Sequence, residues 1–246
     1  MSELVKVEHL QKKFGDHTVL NDINLSVKKG EVVVIIGPSG CGKSTFLRCL
    51  NGLESIDGGS VSVDGQQVDP NKKDIYAIRQ KIGMVFQSYE LFPHKTVLEN
   101  IILSPVKVQK RNKDEAKKEA IELLKRVGLE DKKDFYPRQL SGGQKQRVAI
   151  VRALIMNPDV LLFDEVTAAL DPEMVHEVLQ TMLELARSGS TMLIVTHEMA
   201  FARAVADRIV FFDEGDIVEE TTEVKQFFEN PKTERAQRFL RTFAYE

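Results

Sequence analysis

Residues 37–45 read Gly-Pro-Ser-Gly-Cys-Gly-Lys-Ser-Thr, between an apolar run at Val32–Ile36 and a helix-forming stretch at Ser44–Leu50. No other feature constrains the fold so tightly. The spacing G-x-x-x-x-G-K-[S/T], in the order strand, loop, helix, is that of a phosphate cradle. Its glycines let successive backbone N–H groups converge on an anion, and the helix N-terminus adds partial positive charge. Lys43 reaches toward β- and γ-phosphates, and the Ser44 hydroxyl is a ligand for Mg²⁺. Four constrained positions recur by chance in a chain of this length at about one per cent or less. Ser39, Gly40, Cys41, Gly42, Lys43, Ser44 and Thr45 are therefore candidate nucleotide contacts.

The surrounding sequence supplies the sheet that such a loop needs. Short runs apolar on both faces recur at Val160–Phe163, Thr191–Val195 and Ile209–Phe212, as expected of strands covered by helices on both sides. Leu4–Leu10 and Thr18–Val27 read as strands around a turn at Phe14-Gly15-Asp16, and Asp64-Gly65 marks a hairpin. These suggest an antiparallel sheet beside the parallel one. Asn112–Val127 is a one-sided helix stopped by Gly128, with a Lys-rich outer face read as solvated. Asp171-Pro172-Glu173 opens another, with Asp171 at the cap. Asn230-Pro231 separates two short C-terminal helices. The fold class is α/β, a mainly parallel sheet with helices on both faces, in one domain.

Three further segments narrow the chemistry. Val160–Phe163 ends in Asp164-Glu165, which places two carboxylates at the C-terminal edge of a buried strand, where ligands bind in such sheets. Asp164 is a candidate to hold Mg²⁺ and Glu165 to polarise the attacking water. His197, beyond the run Leu193–Val195, and Gln87, beyond Ile82–Phe86, reach the same edge and are candidates to sense phosphate, Mg²⁺ and water. Finally, Leu140-Ser141-Gly142-Gly143-Gln144 opens a Ser-capped helix with two glycines. Physically it is a second anion site: a hydroxyl, exposed amides and a helix dipole with no bulky side chain in the way.

With these segments in place, the chain resembles the ATP-binding subunit of an ABC transporter essentially from end to end. GPSGCGKST resembles the family's Walker A motif, VLLFDE its Walker B and LSGGQ its signature. MVFQ resembles the Q-loop, AALD the D-loop and IVTHE the switch histidine. The resemblance implies a P-loop NTPase core, an N-terminal antiparallel β subdomain and an α-helical subdomain at about residues 90–155. It implies that Lys43, Gln87, Glu165 and His197 are catalytic and that Ser44, Gln87 and Asp164 serve the metal. Phe14, which spacing alone reads as core, matches the aromatic that stacks on adenine, and Val19 joins the nucleotide contacts. Two subunits would pair head to tail, so that Ser141, Gly142, Gly143, Gln144 and Asp171 also belong to the ATP site. The implied partners are a second copy, transmembrane permease subunits and, indirectly, a solute-binding protein. The stretches RQKIGMVFQSYELFPHKTVLENI, YPRQLSGGQ and NPKTERAQRFLRTF are most similar to importers of polar amino acids. Val166 and Ala168 depart from the family's usual Pro and Ser, and neither change removes a catalytic group.

Composition excludes other classes. Lys plus Arg number 34 against 37 Asp plus Glu, a net charge of −3, which argues against a protein that coats nucleic acid. Cys41 and Cys49 cannot form a disulfide framework, and neither is given a redox role. The start, MSELVKVEHL, does not read as a signal peptide, and no run approaches the roughly 20 apolar residues of a membrane helix. The expected location is peripheral, on the cytoplasmic face of the membrane, bound through permease subunits. The 49 residues after His197 are too few for an added regulatory domain. The competing reading is a soluble ABC-type accessory ATPase that acts through an adaptor.

Overall fold

The computed structural model describes residues 3–243. Among the described residues, ten strands form two sheets and nine α-helices pack around them. The N-terminal sheet is antiparallel, in the order β2 (His17–Lys28), β1 (Glu3–Phe14), β4 (Gly58–Val63) and β5 (Gln66–Gln67). The second sheet has six strands: β10 (Asp216–Thr221), β9 (Arg208–Asp213), β3 (Val32–Ile36), β8 (Met192–Val195), β7 (Val160–Asp164) and β6 (Ile82–Val85). All pairings in it are parallel except β10 with β9.

The apolar runs form strands because both of their faces find a core. All five residues of β3 are buried. Val33 and Ile35 join Leu10, Ile23, Phe46 and Phe212 between the two sheets. Val34 and Ile36 point the other way, into a core with Phe163, Val178, Met182, Phe211 and Phe239. This alternation is the period of two that a pleated strand imposes. Among the described residues, no helix is long and apolar enough to cross a membrane.

Helix α1 (Lys43–Leu50) starts directly from the phosphate loop, with Phe46 N–H donating to the Gly42 carbonyl at 2.8 Å. A third core lies away from the sheets among α3 (Val97–Lys107), α4 (Lys113–Arg126) and α5 (Gly142–Leu154), built on Ile101, Ala120, Leu124, Val148 and Ile155. Helix α4 follows its periodicity, with Asn112 capping Asp114 and Glu115 amides and Gly128 (φ +69°) ending it. Helix α3 falls within the helical part that the resemblance implies but is not read from periodicity, and α2 (Ile75–Gln80) is not anticipated. Pro105 inside α3 counts against a helix on propensity, but it falls near the C-terminal end and the Thr96–Glu99 capping box secures the start. Helix α2 is short and has no side-chain cap.

At the C-terminal edge of the parallel strands, β3 runs into the phosphate loop, β7 into Asp164-Glu165 and β8 toward His197. Register brings these ends level: Ile35 pairs with Val195, and Val195 with Asp164. Helix α6 (Pro172–Arg187) begins just beyond β7, and α7 (Met199–Val205) just beyond His197.

Candidate active site

The phosphate loop wraps around its own lysine. Lys43 is 3% exposed, and its Nζ donates to the carbonyls of Gly37 at 2.9 Å and Pro38 at 2.7 Å. The same ammonium lies 3.9 Å from Glu165 Oε1. A cleft of about 280 Å³ opens beside it, lined by Val19, Gly40, Gly42, Lys43, Ser44, Thr45 and Glu165. Gly42 has φ +101°, and a Cβ there would come within 2.8 Å of the Val19 carbonyl, so only glycine fits. Ser39 and Cys41 face an adjoining groove instead.

Across the cleft, Ser44 Oγ donates to Asp164 Oδ1 at 2.6 Å, which joins the loop to the end of β7. Asp164 is buried, and loss of hydration pushes its carboxyl above the usual range, opposed by the Ser44 bond. Glu165 behaves oppositely: the hydrogen bond with His197 holds its carboxyl below the usual range, against the effect of burial. His197 Nε2 and Glu165 Oε1 are 3.0 Å apart. Glu165 is also strained, at φ +46°, with its N–H tied to the Val195 carbonyl at 3.0 Å. Such a backbone outlier at a cleft marks a residue whose aim matters.

The remaining predicted residues stand elsewhere. Phe14 is 49% exposed at the end of β1, with the Lys12 ammonium 4.8 Å from its ring centre, and it lines neither cleft. The exposed Gln87 side chain makes no hydrogen bond to Ser44, Asp164 or Glu165 among the described residues. Ser141 caps α5, accepting from Gln144 N–H at 3.3 Å, while Gln144 Oε1 accepts from Ser141 N–H at 3.0 Å. Asp171 occupies the N-cap position of α6, but its side chain makes no capping bond, which corrects the sequence reading of a side-chain cap. Pro172 at the first helical position has no N–H to offer. Gly142 and Gly143 are not there for an anion alone. A Cβ on Gly142 would lie 2.8 Å from Leu170, and one on Gly143 would lie 2.9 Å from Met174. The segment after Walker B presses directly on the start of α5.

The profile of the ABC transporter family matches residues 20–168. The chain belongs to the ABC transporter family of ATP-binding domains. Over 237 residues it is 57% identical to the arginine transport ATP-binding protein ArtM of Bacillus subtilis (strain 168), covering 96% of this chain and 98% of that protein. The glutamine transport ATP-binding protein GlnQ of the same strain gives the same identity and coverage. Among solved structures, the dimeric post-hydrolysis state of the cassette MJ0796 bound to ADP and Pi superposes with a TM-score of 0.79. It is 38% identical and covers 89% of this chain and 98% of that one.

This ABC ATPase thus binds and hydrolyses ATP. Its cleft brings together the loop amides, the Lys43 ammonium, the Ser44 and Asp164 oxygens, and the Glu165 carboxylate hydrogen-bonded to His197. Sequence reasoning missed the residues that fix the Q-loop. Gln146 Nε2 donates to the Phe86 carbonyl at 3.1 Å, and Arg152 donates to the carbonyls of Tyr89, at 2.9 Å, and Glu90. Tyr89 and Glu90 are both left-handed, at φ +62° and +51°. No motif announces this contact, because Gln146 and Arg152 are spaced like ordinary polar positions of a helix. Val166 lies buried against the core of α6, and Ala168 N–H closes a turn on Glu165 at 3.1 Å. The two thiols are buried and unpaired, that of Cys49 pushed up to about 12 by burial.

Proposed function

We propose that this chain is the ATP-hydrolysing subunit of an importer for polar amino acids, working as a head-to-tail pair of copies. The observation that carries the catalytic assignment is the Glu165–His197 contact of 3.0 Å beside Lys43. Glu165 accepts the proton of the attacking water, which bonds to the γ-phosphorus as the bond to the β,γ-bridging oxygen breaks. ADP and phosphate are released. His197 orients Glu165, and Lys43 balances charge on the β- and γ-phosphates.

A divalent metal fits the donor set. Ser44 Oγ and Asp164 Oδ1 are two hard oxygens 2.6 Å apart. No group of three or more His, Cys, Asp or Glu side chains suited to a metal occurs among the described residues, so other ligands must come from phosphate and water. That is the habit of Mg²⁺. Ser44 and Asp164 would hold such an ion, which when bound would supply charge neutralisation at the phosphates. Gln87, exposed beyond the end of β6, would be the further oxygen donor from this chain.

The chain works as one ATPase domain, with residues of about 90–155 as its helical part. Each ATP lies between the phosphate loop of one copy and Ser141–Gln144 of the other, with Phe14 on the base and Asp171 at the seam. Support comes from the MJ0796 cassette, which is dimeric. ATP closes the pair, hydrolysis reopens it, and the Q-loop passes the movement to permease subunits on the cytoplasmic face of the membrane. A solute-binding protein delivers the amino acid from the other side. Arginine and glutamine are the solutes named for the two relatives.

Glu165→Gln is the test of the catalytic reading. The variant should bind ATP, form a persistent dimer and lose turnover by roughly a hundredfold or more. Unimpaired hydrolysis would remove Glu165 from the role. Co-purification with a polytopic membrane partner, and ATPase stimulation by arginine or glutamine in liposomes carrying the whole complex, test the transport reading. A fully soluble complex with an adaptor would replace it.

A further inference from the structure

Three parts of the chain converge on the turn between β9 and β10, residues Asp213–Asp216. From the phosphate loop comes Gly37, packed so tightly that a Cβ there would lie 2.0 Å from the Phe212 carbonyl, one residue before the turn. From β2 comes Asn21, whose N–H donates to the Gly215 carbonyl at 3.0 Å. Its Nδ2 donates to the Glu214 carbonyl at 3.1 Å and to Asp216 Oδ2 at 2.7 Å. The Val19 carbonyl is wedged in the same place, 2.6 Å from a Cβ built on Gly215 and 2.8 Å from one built on Gly42. The turn therefore backs both the entry of the phosphate loop and the strand that lines the cleft.

The third contribution comes from α9 (Glu234–Arg241), far along the sequence. Arg235 takes Asp213 in a two-pronged grip: one terminal guanidinium nitrogen donates to Oδ1 at 3.0 Å, and Nε donates to Oδ2. Asp213 is only 8% exposed and ion-paired with Arg235. Arg235 is held in place independently. The Thr233 hydroxyl accepts from the Ala236 N–H at 3.2 Å, and Glu219 on β10 accepts from the amides of Lys232, at 3.1 Å, and Thr233, at 3.0 Å. Phe239 is buried against the core. Arg235 also borders a groove of about 360 Å³ with Ser39, Gly40 and Cys41, which meets the phosphate cleft at Val19 and Gly40.

We propose that Arg235 is a positioning residue for nucleotide binding: its grip on Asp213 fixes the β9–β10 turn, against which Gly37 and Val19 seat the phosphate loop. The inference rests on the assignment of ATP to that loop. Arg235 touches no reacting atom, so it acts on affinity more than on the chemical step. Removing it leaves a buried carboxylate without its cation, and the turn must shift to hydrate that carboxylate.

The experiment uses the purified full chain with MgATP and compares wild type with Arg235→Ala, Arg235→Lys, Asp213→Asn and the Arg235→Ala/Asp213→Asn pair. Arg238→Ala, on the exposed side of the same helix, is the control. ATP affinity is read by calorimetric titration, KM and kcat from phosphate release, and Tm without nucleotide. Arg235→Ala should weaken ATP binding and raise KM about tenfold, with kcat within about twofold. Lysine, which keeps the charge but lacks the fork, should restore affinity in part. The double variant should be no worse than the worse single one, because both break one link. A fall in Tm with unchanged ATP affinity, or a loss confined to kcat, would overturn the inference. If Arg235→Ala does not fold, Arg235→Lys and Asp213→Asn carry the same comparison, and affinity equal to wild type in both overturns it. Wild-type protein that fails to bind ATP would overturn the ATP site and this inference together. Wild-type binding matched by Arg235→Ala overturns this inference alone.

Discussion

Glu165 and Asp164 are neighbours in sequence with opposite electrostatic environments, and the difference predicts how each responds to change. The folded protein binds a proton at Glu165 less readily than the unfolded chain, because His197 favours the carboxylate. Its contribution to stability is therefore present above the ordinary glutamate value of 4.5 and is lost as pH falls through the lower folded value. Urea midpoints measured on the acid side should fall more steeply for wild type than for Glu165→Gln. Asp164 carries the reverse sign, since burial disfavours its charged form. Asp164→Asn should be at least as stable as wild type near neutral pH by thermal melting while losing most of its ATP turnover. Asp164, Glu165 and His197 were legible because a short apolar strand ending in polar residues can place them only at a sheet edge. Gln87 was legible by position but not by contact: the strand β6 sets where the backbone emerges, and an exposed side chain beyond it is not fixed by the pattern.

Helix α5 illustrates what a motif conceals about the element that carries it. Its Gly-Gly opening read as room for an anion, yet a Cβ on either glycine would also press on Leu170 or Met174 inside ordinary contact distance. Gly143→Ala should destabilise the protein by about 1–3 kcal/mol in chemical unfolding. Adding Met174→Ala should return little of that loss, because the nearest obstacle is the methionine's Cβ, which alanine keeps. The other end of α5 braces the strained corner at Tyr89 and Glu90 through Arg152. Glu90 is exposed, so Glu90→Gly removes left-handed strain without emptying a core. A gain of about 0.5–1 kcal/mol is expected after the entropy cost of glycine, visible as a higher Tm. The parallel strands were legible as short runs apolar on both faces, and α4 from its one-sided periodicity. Helix α3 was implied only through the resemblance: Pro105 weakens its propensity, and the Thr96–Glu99 capping-box spacing marks its start alone.

On the scale of the molecule, one cleft is bordered by β2 of the first sheet and the end of β7 in the second, and ligand binding should be felt across both. MgATP at about a hundred times its Kd adds about 2.7 kcal/mol to the folded protein, which for a chain of this size raises Tm by roughly 5–10 °C. Lys43→Ala should abolish that rise. The mainly parallel architecture was legible because alternating strands and helices admit few other arrangements. The reach of α9 to the phosphate loop was not, since nothing in sequence links positions so far apart as Arg235 and Gly37. The contact between Gly37 and the Phe212 carbonyl also bears on how such chains decay. A descendant that abandoned ATP would still need glycine at position 37, because strand β9 leaves no space for a side chain. Gly40, with nothing within 4 Å of its would-be Cβ, meets only the strain of its left-handed φ of +81°, not a clash. The first glycine of the motif is thus a fossil of packing, and its survival in a relative does not by itself certify that the relative still burns nucleotide.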